Sequence, residues 1–514
     1  GLASELPIWD ESLCIDCGKC AVVCPHSAIR IKLAEPADLE SAPDGFRHKE
    51  YKDRQHPGRR LIVQVAPDDC TGCGICVDIC PAASRLNPTH KSLNMEPAEV
   101  HRDVERTAFD FFLGLPETDR TQVRHDQVKG VAQLQPLFEF SLACSGCGET
   151  PYIKTLTQLF GDRMVIANAT GCSSIFGGNL PTTPYTTNAD GRGPAWSNSL
   201  FEDNAEFGLG MRIAQDLQSS EARRVLASLR REVGGDLTDA LLEADQSSEA
   251  GLTAQRTRIA ELRRVLATVA STSLDADILQ RTRSLLSLAD ELAEKSVWII
   301  GGDGWAYDIG YGGLDHVLGS GRNVNILVLD TEVYSNTGGQ ASKATPRGAK
   351  AKFATAGKGA RKKDLGLLAQ AYGDVYVAQL AIGANQQQAV RAMVEAQAWP
   401  GPSLLIAYST CIAHGIEMSS SMSHQADAVG SGYWPLYRFR PGDEGGGLHL
   451  DSKAPNAPVR DFMRSEARFA MLERSDPERA HHLAGLAQDD VDERWRHYTH
   501  LAEQPRGAPA SEPE

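Results

Sequence analysis

Two cysteine motifs near the start of the chain constrain its fold more than any other feature. Each motif has two residues between successive members of its first three cysteines, three residues before the fourth, and a proline directly after it. A loop with this spacing can present three thiolates to one [4Fe–4S] cluster, and in paired motifs the fourth cysteine binds the neighbouring cluster. The motif residues are Cys14, Cys17, Cys20 and Cys24, then Cys70, Cys73, Cys76 and Cys80.

The two motifs therefore predict two [4Fe–4S] clusters that exchange their fourth ligands. Gly18, Gly72 and Gly74 allow the backbone to fold closely around each cluster. Zinc ribbons and disulfides are the alternatives, and two complete copies in a chain without an export signal disfavour both. We assign one cluster to Cys14, Cys17, Cys20 and Cys80, and the other to Cys70, Cys73, Cys76 and Cys24.

The overall composition limits the function classes. A net charge of −15 argues against nucleic acid as the main partner, because binding to phosphates requires basic surfaces. We also expect no membrane span, since no apolar run approaches the roughly 20 residues that one requires. Residues 1–10 lack the basic start and apolar stretch of a signal peptide, so we expect a reducing, cytoplasmic compartment. Because the chain begins with Gly1 rather than Met, we expect a processed chain or a piece of something longer.

The distribution of apolar residues predicts two domains. Residues 1–110 carry eight cysteines and several turn signals, which predicts a ferredoxin-like α+β domain with two [4Fe–4S] clusters and no long helix. Residues 111–514 have short apolar runs separated by helix-like stretches, which predicts an α/β domain with a mainly parallel sheet. The runs are residues 164–169, 297–300, 324–329, 375–380 and 403–408.

Two further segments of the second domain have a distinct pattern. Residues 211–295 place Leu, Ile and Val at helical spacing among many charged residues, which predicts a helical segment inserted into the sheet domain. Residues 502–514 form the carboxy-terminal tail and are rich in Pro, Glu and Ala, a composition typical of disorder.

Glycine-rich turns follow two neighbouring predicted strands. Ligands of open parallel sheets bind beyond the carboxyl ends of the strands, where these turns lie. Asp303, Thr331 and a turn carbonyl are suited to Mg²⁺, a hard ion that prefers oxygen ligands and bridges phosphates. A dinucleotide site with Asp330 on the ribose is the alternative, but Tyr307 stands where the third glycine is required.

The separation of Gly302 from Asn336 resembles the thiamine diphosphate motif, in which GDG is followed by an asparagine pair. The chain keeps half of that pair, as Ser335-Asn336. The four remaining cysteines support the same site, because Cys172 and Cys411 follow predicted strands at the edge that carries the GDG turn. With Cys144 and Cys147 they predict a third [4Fe–4S] cluster close to the cofactor, and a structural zinc is the alternative.

Together these motifs resemble the carboxy-terminal part of pyruvate:ferredoxin (flavodoxin) oxidoreductase. The resemblance runs from Trp9 to about Leu501. It implies a ferredoxin-like two-cluster domain followed by a thiamine diphosphate-binding domain with a mainly parallel sheet and an inserted helical segment. The most similar stretches are residues 181–188, 193–194, 198–202, 302–313, 330–339 and 342–346.

The resemblance also implies the roles of individual residues. Mg²⁺ is expected on Asp303, Thr331 and the Val333 carbonyl, and Asn336 is expected to meet the 2-oxoacid as a catalytic residue. The ligands expected for the proximal cluster are Cys144, Cys147, Cys172 and Cys411. The residues expected to line thiamine diphosphate are Glu149, Cys172, Gly302, Asp303, Gly304, Trp305, Thr331, Glu332, Val333, Tyr334, Ser335 and Asn336.

The activity that the resemblance implies is oxidative decarboxylation of pyruvate to acetyl-CoA and CO₂. Coenzyme A takes the acyl group, and electrons pass through three [4Fe–4S] clusters to ferredoxin or flavodoxin. In the family an amino-terminal domain supplies a glutamate that activates the cofactor and an arginine that binds the substrate carboxylate. We therefore expect this chain to be a fragment or subunit that needs an amino-terminal part, within a complete enzyme that is a homodimer.

Two other functions stay open at this point. The first is an oxidoreductase of the same class that acts on another 2-oxoacid, such as 2-oxoglutarate. The second is an electron-transfer module without catalysis of its own. Residues 343–363 contain eight basic residues and no acidic one, which suits an anionic substrate or coenzyme A, or else a solvated loop. His414 is a candidate for tuning the nearby cluster, with an ordinary structural histidine as the favoured alternative.

Overall fold

The computed structural model describes residues 1–178, 181–442 and 447–504. Its amino-terminal part contains two small antiparallel sheets, one formed by the first and last strands and one by the three strands between them. The strands are β1 (Glu5–Trp9), β2 (Ile29–Ala34), β3 (Lys49–Glu50), β4 (Arg60–Val65) and β5 (Leu93–Pro97).

Four helices accompany these strands: α1 (Lys19–Val23), α2 (Ile75–Asp78), α3 (Ala98–Gly114) and α4 (Val128–Val131). The short helices α1 and α2 begin inside the cysteine motifs, directly after Gly18 and Gly74. These glycines have φ angles of 72° and 77°, in the left-handed region that favours glycine.

The prediction that this region has no long helix was wrong, because α3 has 17 residues. Its core-facing side includes Ala108, Phe109 and Phe112, whereas many of its other positions are charged. Because this apolar face is short, the helical periodicity of apolar residues is weak in the sequence. The predicted domain boundary at residue 110 falls within α3 and stays a prediction.

The second part of the chain is built on an eight-stranded sheet with the order β13-β12-β10-β11-β9-β8-β6-β7. The strands from β10 to β7 are parallel, and β12 and β13 join antiparallel at one edge. The mainly parallel sheet is therefore confirmed. The strands are β6 (Met164–Ala169), β7 (Ala195–Ser199), β8 (Ser296–Gly302), β9 (Asn325–Asp330), β10 (Tyr376–Leu380), β11 (Ser403–Tyr408), β12 (Tyr437–Arg440) and β13 (Gly447–Leu450).

All five strands predicted from apolar runs are confirmed, and their register places the functional turns together. Gly302 at the end of β8 lies opposite Leu329 of β9, and Tyr408 at the end of β11 lies opposite Asp330. The segments that follow these strands therefore emerge at the same edge of the sheet. The edge strands β7 and β13, and β12 next to β13, were not predicted, because their sequences contain too few consecutive apolar residues.

Helices cover the sheet and form the long excursion between β7 and β8. The helices of this part are α5 (Thr150–Phe160), α6 (Cys172–Gly177), α7 (Asn204–Ser228), α8 (Arg230–Val233), α9 (Gly235–Leu242), α10 (Glu249–Thr272), α11 (Ala276–Leu288), α12 (Tyr311–Leu318), α13 (Leu365–Gln370), α14 (Gln386–Ala398), α15 (Ser421–Gly430), α16 (Val459–Arg464), α17 (Ala467–Ser475) and α18 (Pro477–Glu503). Residues Gly304–Ile309 form a π-helical turn.

The excursion consists of α7 to α11 and coincides with the region where an inserted helical segment is predicted. It has its own apolar core, which includes Leu226, Leu262 and Leu285. Of the helices described, none combines the length and apolar character needed to cross a membrane. Residues 505–514 of the predicted disordered tail lie outside the described residues.

Candidate functional site

The eight amino-terminal cysteines lie in two crossed groups, as their spacing predicts. We call Cys14, Cys17, Cys20 and Cys80 the outer group, and Cys24, Cys70, Cys73 and Cys76 the middle group. Burial raises the pKa of Cys20 well above its usual value, and the thiolates of Cys17, Cys14 and Cys80 raise it further. Burial likewise raises the pKa of Cys76, with further contributions from Cys73, Cys24 and Cys70.

Each group surrounds a cavity of its own, lined by all four of its cysteines. Because the thiols converge on the cavities from tight loops, these residues suit two [4Fe–4S] clusters. Cys20 also contributes to the raised pKa of Cys76, so the outer and middle groups are close neighbours. The individual ligand assignments stay predictions.

The other four cysteines also come together, at the carboxyl edge of the large sheet. We call Cys144, Cys147, Cys172 and Cys411 the inner group. Burial is the main cause that raises the pKa of Cys172 to about 12, and thiolate charges on Cys411 and Cys144 contribute to the rise. Burial also raises the pKa of Cys147, to which Cys411 again contributes. The four cysteines of the inner group are therefore neighbours, an arrangement that suits a third [4Fe–4S] cluster.

Contacts between loops order the three groups in a row. The Ser145 hydroxyl, between two cysteines of the inner group, lies 3.3 Å from the Thr71 hydroxyl, which follows Cys70 of the middle group. A Cβ atom added at Gly146 would lie 3.5 Å from the Cδ1 atom of Ile75, which adjoins Cys76. The middle group thus neighbours both the inner group and the outer group.

The residues predicted to hold Mg²⁺ converge at the ends of β8 and β9. One Asp303 carboxylate oxygen accepts hydrogen bonds from the Thr331 backbone N–H at 3.2 Å and from the Thr331 hydroxyl at 3.0 Å. The same hydroxyl lies 3.1 Å from the Val333 carbonyl oxygen, and all three residues are buried. Burial and the Asp330 charge raise the pKa of Asp303 to about 8. A cluster of hard oxygen atoms of this kind suits a divalent cation.

A second buried carboxyl group lies beside Asp303. Glu149 is only 4% exposed, and burial together with the Asp303 charge raises its pKa to about 8. Its Oε2 atom has no hydrogen-bond partner within the part of the chain that the structure describes. Buried polar atoms are normally paired, so this oxygen suits a hydrogen-bonding group of a bound cofactor.

Glycines shape the turn that carries Asp303. An added Cβ at Gly304 would overlap the Tyr334 ring, and one at Gly301 would approach Trp305 to 2.5 Å. In contrast, the nearest atom to a Cβ at Gly302 would be the Leu329 carbonyl oxygen, at 3.9 Å. The turn is therefore tightly packed on its inner side and open at Gly302, where a phosphate can approach the backbone.

The turn after β9 joins this site to the inner group. The Ser335 hydroxyl lies 3.3 Å from the sulfur atom of Cys172. Asn336, the predicted catalytic residue, is exposed one position further along the chain. The structure thus brings the predicted cofactor residues and the inner group to the same edge of the sheet.

The side chain of Glu332 belongs to a buried ion network behind the turn. It accepts hydrogen bonds from Tyr433 and Arg468, both at 2.6 Å, and lies 3.0 Å from the Lys362 ammonium. Burial opposes ionisation, but the charges of Lys362 and Arg468 lower the pKa of Glu332 to about 2. The Glu332 backbone has a φ angle of 62°, so the network holds this residue in a left-handed conformation that side chains rarely adopt.

His414 connects the same turn to the inner group. One ring nitrogen lies 2.8 Å from the Thr331 carbonyl oxygen, and the other lies 3.5 Å from the backbone nitrogen of Cys411. Burial first, and then the Arg468 charge, lowers the pKa of His414 to about 4, so the ring is neutral at pH 7. Tuning of the cluster by His414 stays a prediction.

Several basic residues of the strip, residues 343–363, are engaged in contacts within the protein. Lys362 pairs with Asp330 at 2.8 Å, which leaves this carboxylate engaged rather than free for a ribose. Arg347 pairs with Asp490 of α18 at 2.7 Å, and Lys358 donates to the Ser342 carbonyl at 2.8 Å. Binding of an anionic substrate by the remaining basic residues stays a prediction.

Several residues of the site were not predicted from the sequence. Ser342 donates a hydrogen bond of 2.7 Å to the second carboxylate oxygen of Asp303. Arg468 and Glu466, which pair at 2.5 Å, stabilise the turn from behind. These residues are far from the motifs in sequence, and no local pattern marks them.

Comparison with protein families identifies two matching regions. Residues 13–84 match a 4Fe-4S dicluster domain, and residues 286–407 match the C-terminal TPP binding domain of thiamine pyrophosphate enzymes. The chain therefore contains an iron–sulfur domain and a thiamine diphosphate-binding domain. The first match includes the outer and middle groups, and the second includes the turns after β8 and β9.

Several relatives resemble the chain over nearly its whole length. It is 56% identical over 504 residues to the pyruvate-flavodoxin oxidoreductase of Trichormus variabilis, and 50% identical to the probable pyruvate-flavodoxin oxidoreductase of Escherichia coli. It is 49% identical to the pyruvate:ferredoxin oxidoreductase of Moorella thermoacetica. Each alignment covers 98% of this chain and 42% of the relative.

The chain thus spans about 42% of the length of these relatives, and it matches their carboxy-terminal part. Among solved structures, a 2-oxoglutarate:ferredoxin oxidoreductase from Magnetococcus marinus aligns with 15% identity and a TM-score of 0.30, over 53% of this chain and 65% of that one. The resemblance predicted from the sequence motifs is confirmed by the sequence relatives.

Proposed function

From its similarity to the carboxy-terminal part of pyruvate-flavodoxin oxidoreductases, we propose that this chain is the cofactor-binding and electron-transfer part of such an enzyme. The complete enzyme converts pyruvate and coenzyme A to acetyl-CoA and CO₂, and reduces ferredoxin or flavodoxin. The observation that carries the proposal is the shared edge of the sheet, where Ser335 beside the Mg²⁺ turn lies 3.3 Å from Cys172 of the inner group.

The residues at this edge each have a task in cofactor binding. Asp303, Thr331 and the Val333 carbonyl would hold Mg²⁺, which would offset the negative charge of the diphosphate. The open backbone at Gly302 accommodates the diphosphate. Bound thiamine diphosphate supplies the electron sink for breaking the bond between the carboxylate and the carbonyl carbon. Asn336, at the exposed end of the turn, meets the 2-oxoacid.

Electrons leave the site through the row of three cysteine groups. Two electrons leave each pyruvate, and a [4Fe–4S] cluster accepts them one at a time. Cys144, Cys147, Cys172 and Cys411 would hold the cluster nearest the cofactor, and the middle and outer groups would hold the two clusters that complete a path for single electrons to the acceptor. The contact between Ser145 and Thr71 keeps the inner and middle clusters adjacent. The electron acceptor therefore binds near the outer group.

Exposed apolar side chains at the carboxyl edge support the need for a second part. Ile175, Leu200, Ile309 and Ile412 follow the ends of parallel strands within seven residues and are between 56% and 62% exposed. Exposed apolar side chains at one edge of a sheet favour burial against another surface. An amino-terminal part or subunit covers this edge and supplies the glutamate and arginine that the resemblance implies. The complete enzyme is a homodimer in the cytoplasm.

Reconstitution of the complete enzyme tests the activity. The chain is combined with its amino-terminal part, pyruvate, coenzyme A, thiamine diphosphate and Mg²⁺, and reduction of methyl viologen is measured under anaerobic conditions. Absence of reduction would overturn the proposal, and faster turnover of 2-oxoglutarate would reassign the substrate. If the cluster-loaded chain transfers electrons but the assembly oxidises no 2-oxoacid, the result would support the alternative function of an electron-transfer module.

Two measurements on the chain itself test the cofactor sites. Three [4Fe–4S] clusters give about twelve irons per chain, whereas about eight irons with one zinc would contradict the inner cluster. Asp303→Ala should abolish Mg²⁺-dependent binding of thiamine diphosphate and leave the visible cluster spectrum unchanged. Asp308→Ala is the matched control, because Asp308 is close in sequence but bonds to the Lys343 backbone N–H at 3.1 Å.

A further inference from the structure

Lys154 of α5 is a lysine buried between two of the cysteine groups. Its side chain is only 1% exposed. Its ammonium donates hydrogen bonds to the carbonyl oxygens of Val22, at 2.7 Å, and of Ala21. Both carbonyls lie in α1, between Cys20 of the outer group and Cys24 of the middle group. The ammonium therefore lies at the junction of the two groups.

No carboxylate forms an ion pair with Lys154 within the part of the chain that the structure describes. The negative charges that act on it are the thiolates of Cys24 and Cys20, and the nearby Arg30 is itself positive. An unpaired buried ammonium costs several kcal/mol. Burial accordingly lowers the pKa of Lys154 to about 8, although the two thiolates oppose that change. The two carbonyl oxygens accept hydrogen bonds from the ammonium but carry no full negative charge, so a negatively charged group beside Lys154 would offset the remaining cost.

We propose that Lys154 is a shared counter-cation of the middle and outer clusters, a positioning residue that raises the reduction potential of both. The inference rests on the proposed electron-transfer function. A [4Fe–4S] cluster gains one negative charge when it is reduced, so a fixed cation nearby stabilises the reduced form more than the oxidised form. Net charge and hydrogen bonding around a cluster are known to set its potential.

The position of α5 makes the cation a fixed part of the electron path. The helix starts directly after Glu149, two residues beyond Cys147 of the inner group, and all eleven of its residues are buried. Lys154 is therefore held by a fully buried helix that begins beside the inner group. Because the ammonium lies near both Cys24 and Cys20, we expect the potentials of the middle and outer clusters to shift in the same direction.

Lys32 provides a matched control in the same region. It is also buried, at 3% exposure, and its ammonium donates to the carbonyl oxygens of Leu115, at 2.7 Å, and Phe112, at 3.1 Å. Unlike Lys154, it has a carboxylate partner, Glu117, at 2.7 Å. Lys32→Met thus removes a buried lysine that is already neutralised by the protein.

The test is an anaerobic redox titration of the cluster-loaded full chain, followed by electron paramagnetic resonance, after the iron content has been measured. At the wild-type midpoint, Lys154→Met should lower the ratio of reduced to oxidised middle and outer clusters about tenfold, which for a one-electron couple is a shift of about 59 mV to more negative potential. Lys154→Arg should stay near the wild-type potentials. Lys32→Met should also stay near them.

Unchanged potentials in iron-loaded Lys154→Met, or an equal shift in Lys32→Met, would overturn the proposal. If Lys154→Met does not hold iron, Lys154→Gln is titrated instead, because it keeps a hydrogen-bond donor without the charge. If both neutral variants lose iron while Lys154→Arg and Lys32→Met retain it, the result would support the proposal that a positive charge is required at residue 154. Failure of pyruvate oxidation in the wild-type assembly would count against the proposed function alone, since the titration needs no substrate.

Discussion

Replacement of Arg468 by methionine should destabilise the protein and weaken cofactor binding together. Arg468 is buried between Glu466, at 2.5 Å, and Glu332, at 2.6 Å, so one guanidinium neutralises two buried carboxylates. Removing one partner of a buried ion pair typically costs about 3–5 kcal/mol, because the remaining charge is left uncompensated. Glu332 keeps Lys362 at 3.0 Å and Glu466 keeps His424 at 2.9 Å, so the expected loss is at the lower end of this range, about 3 kcal/mol.

The effect on cofactor binding follows from the backbone of Glu332. Its φ angle of 62° is a strained conformation that costs about 1–3 kcal/mol and persists only while the surroundings fix it. Without Arg468, relaxation of Glu332 moves Thr331 and the Val333 carbonyl on either side of it. If about 1.4 kcal/mol of that strain must be restored on binding, affinity for Mg²⁺ and thiamine diphosphate falls roughly tenfold.

Urea denaturation followed by circular dichroism measures the stability, and calorimetric titration of thiamine diphosphate with Mg²⁺ measures the affinity. Arg438→Met is the control, because Arg438 also joins two carboxylates, Asp451 at 2.9 Å and Glu395 at 2.7 Å, on the antiparallel edge of the sheet. It should lose stability and keep its cofactor affinity. A loss below about 1 kcal/mol in Arg468→Met, or equal losses of affinity in both variants, would refute the reasoning.

Two further substitutions test other contacts. Glu249→Gln should lose about 1–3 kcal/mol at pH 7, because Glu249 pairs with Arg120 at 3.0 Å where the inserted helices meet the rest of the chain. Burial opposes ionisation, but the arginine charges lower the pKa of Glu249 to about 2. The extra stability of the wild type is therefore present above the ordinary pKa of 4.5 and is lost as the pH falls towards 2. Urea denaturation should show a smaller difference in free energy of unfolding between wild type and variant at pH 3 than at pH 7, and an unchanged difference would contradict the pairing. Gly304→Ala places a methyl group on the Tyr334 ring and should weaken thiamine diphosphate binding at least about tenfold in calorimetry, whereas Gly210→Ala, where an added Cβ meets no atom within 4 Å, should bind normally.

Local patterns in the sequence were enough to predict the scaffold of the site. The crossed cysteine groups follow from spacing within two short motifs, and the five central strands follow from apolar runs that parallel sheets bury on both faces. Edge strands such as β7 (Ala195–Ser199) could not be predicted in this way, because their residues are largely polar and none of them is fully buried. Helix α3 escaped it because few of its seventeen residues reach the core.

The site itself was predictable only where its residues adjoin strand ends. Asp303 and Thr331 follow β8 and β9 directly, so strand order alone brings them together. Ser342, Arg468 and Lys154 reach their positions through loops and helices that return from elsewhere in the chain. Their roles depend on tertiary contacts, which have no signature in a single sequence.

The crossed cysteine groups also have a consequence for how the protein is made. Cys24 emerges in the first motif but belongs to the group of the second, and Cys80 does the reverse. A growing chain that has exposed only the first motif thus holds three ligands of one cluster and one of another. The middle group is complete only after residue 76 has been synthesised, and the outer group only after residue 80. Neither cluster can therefore acquire its full ligand set from the first motif alone, and both sets become complete within four residues of each other.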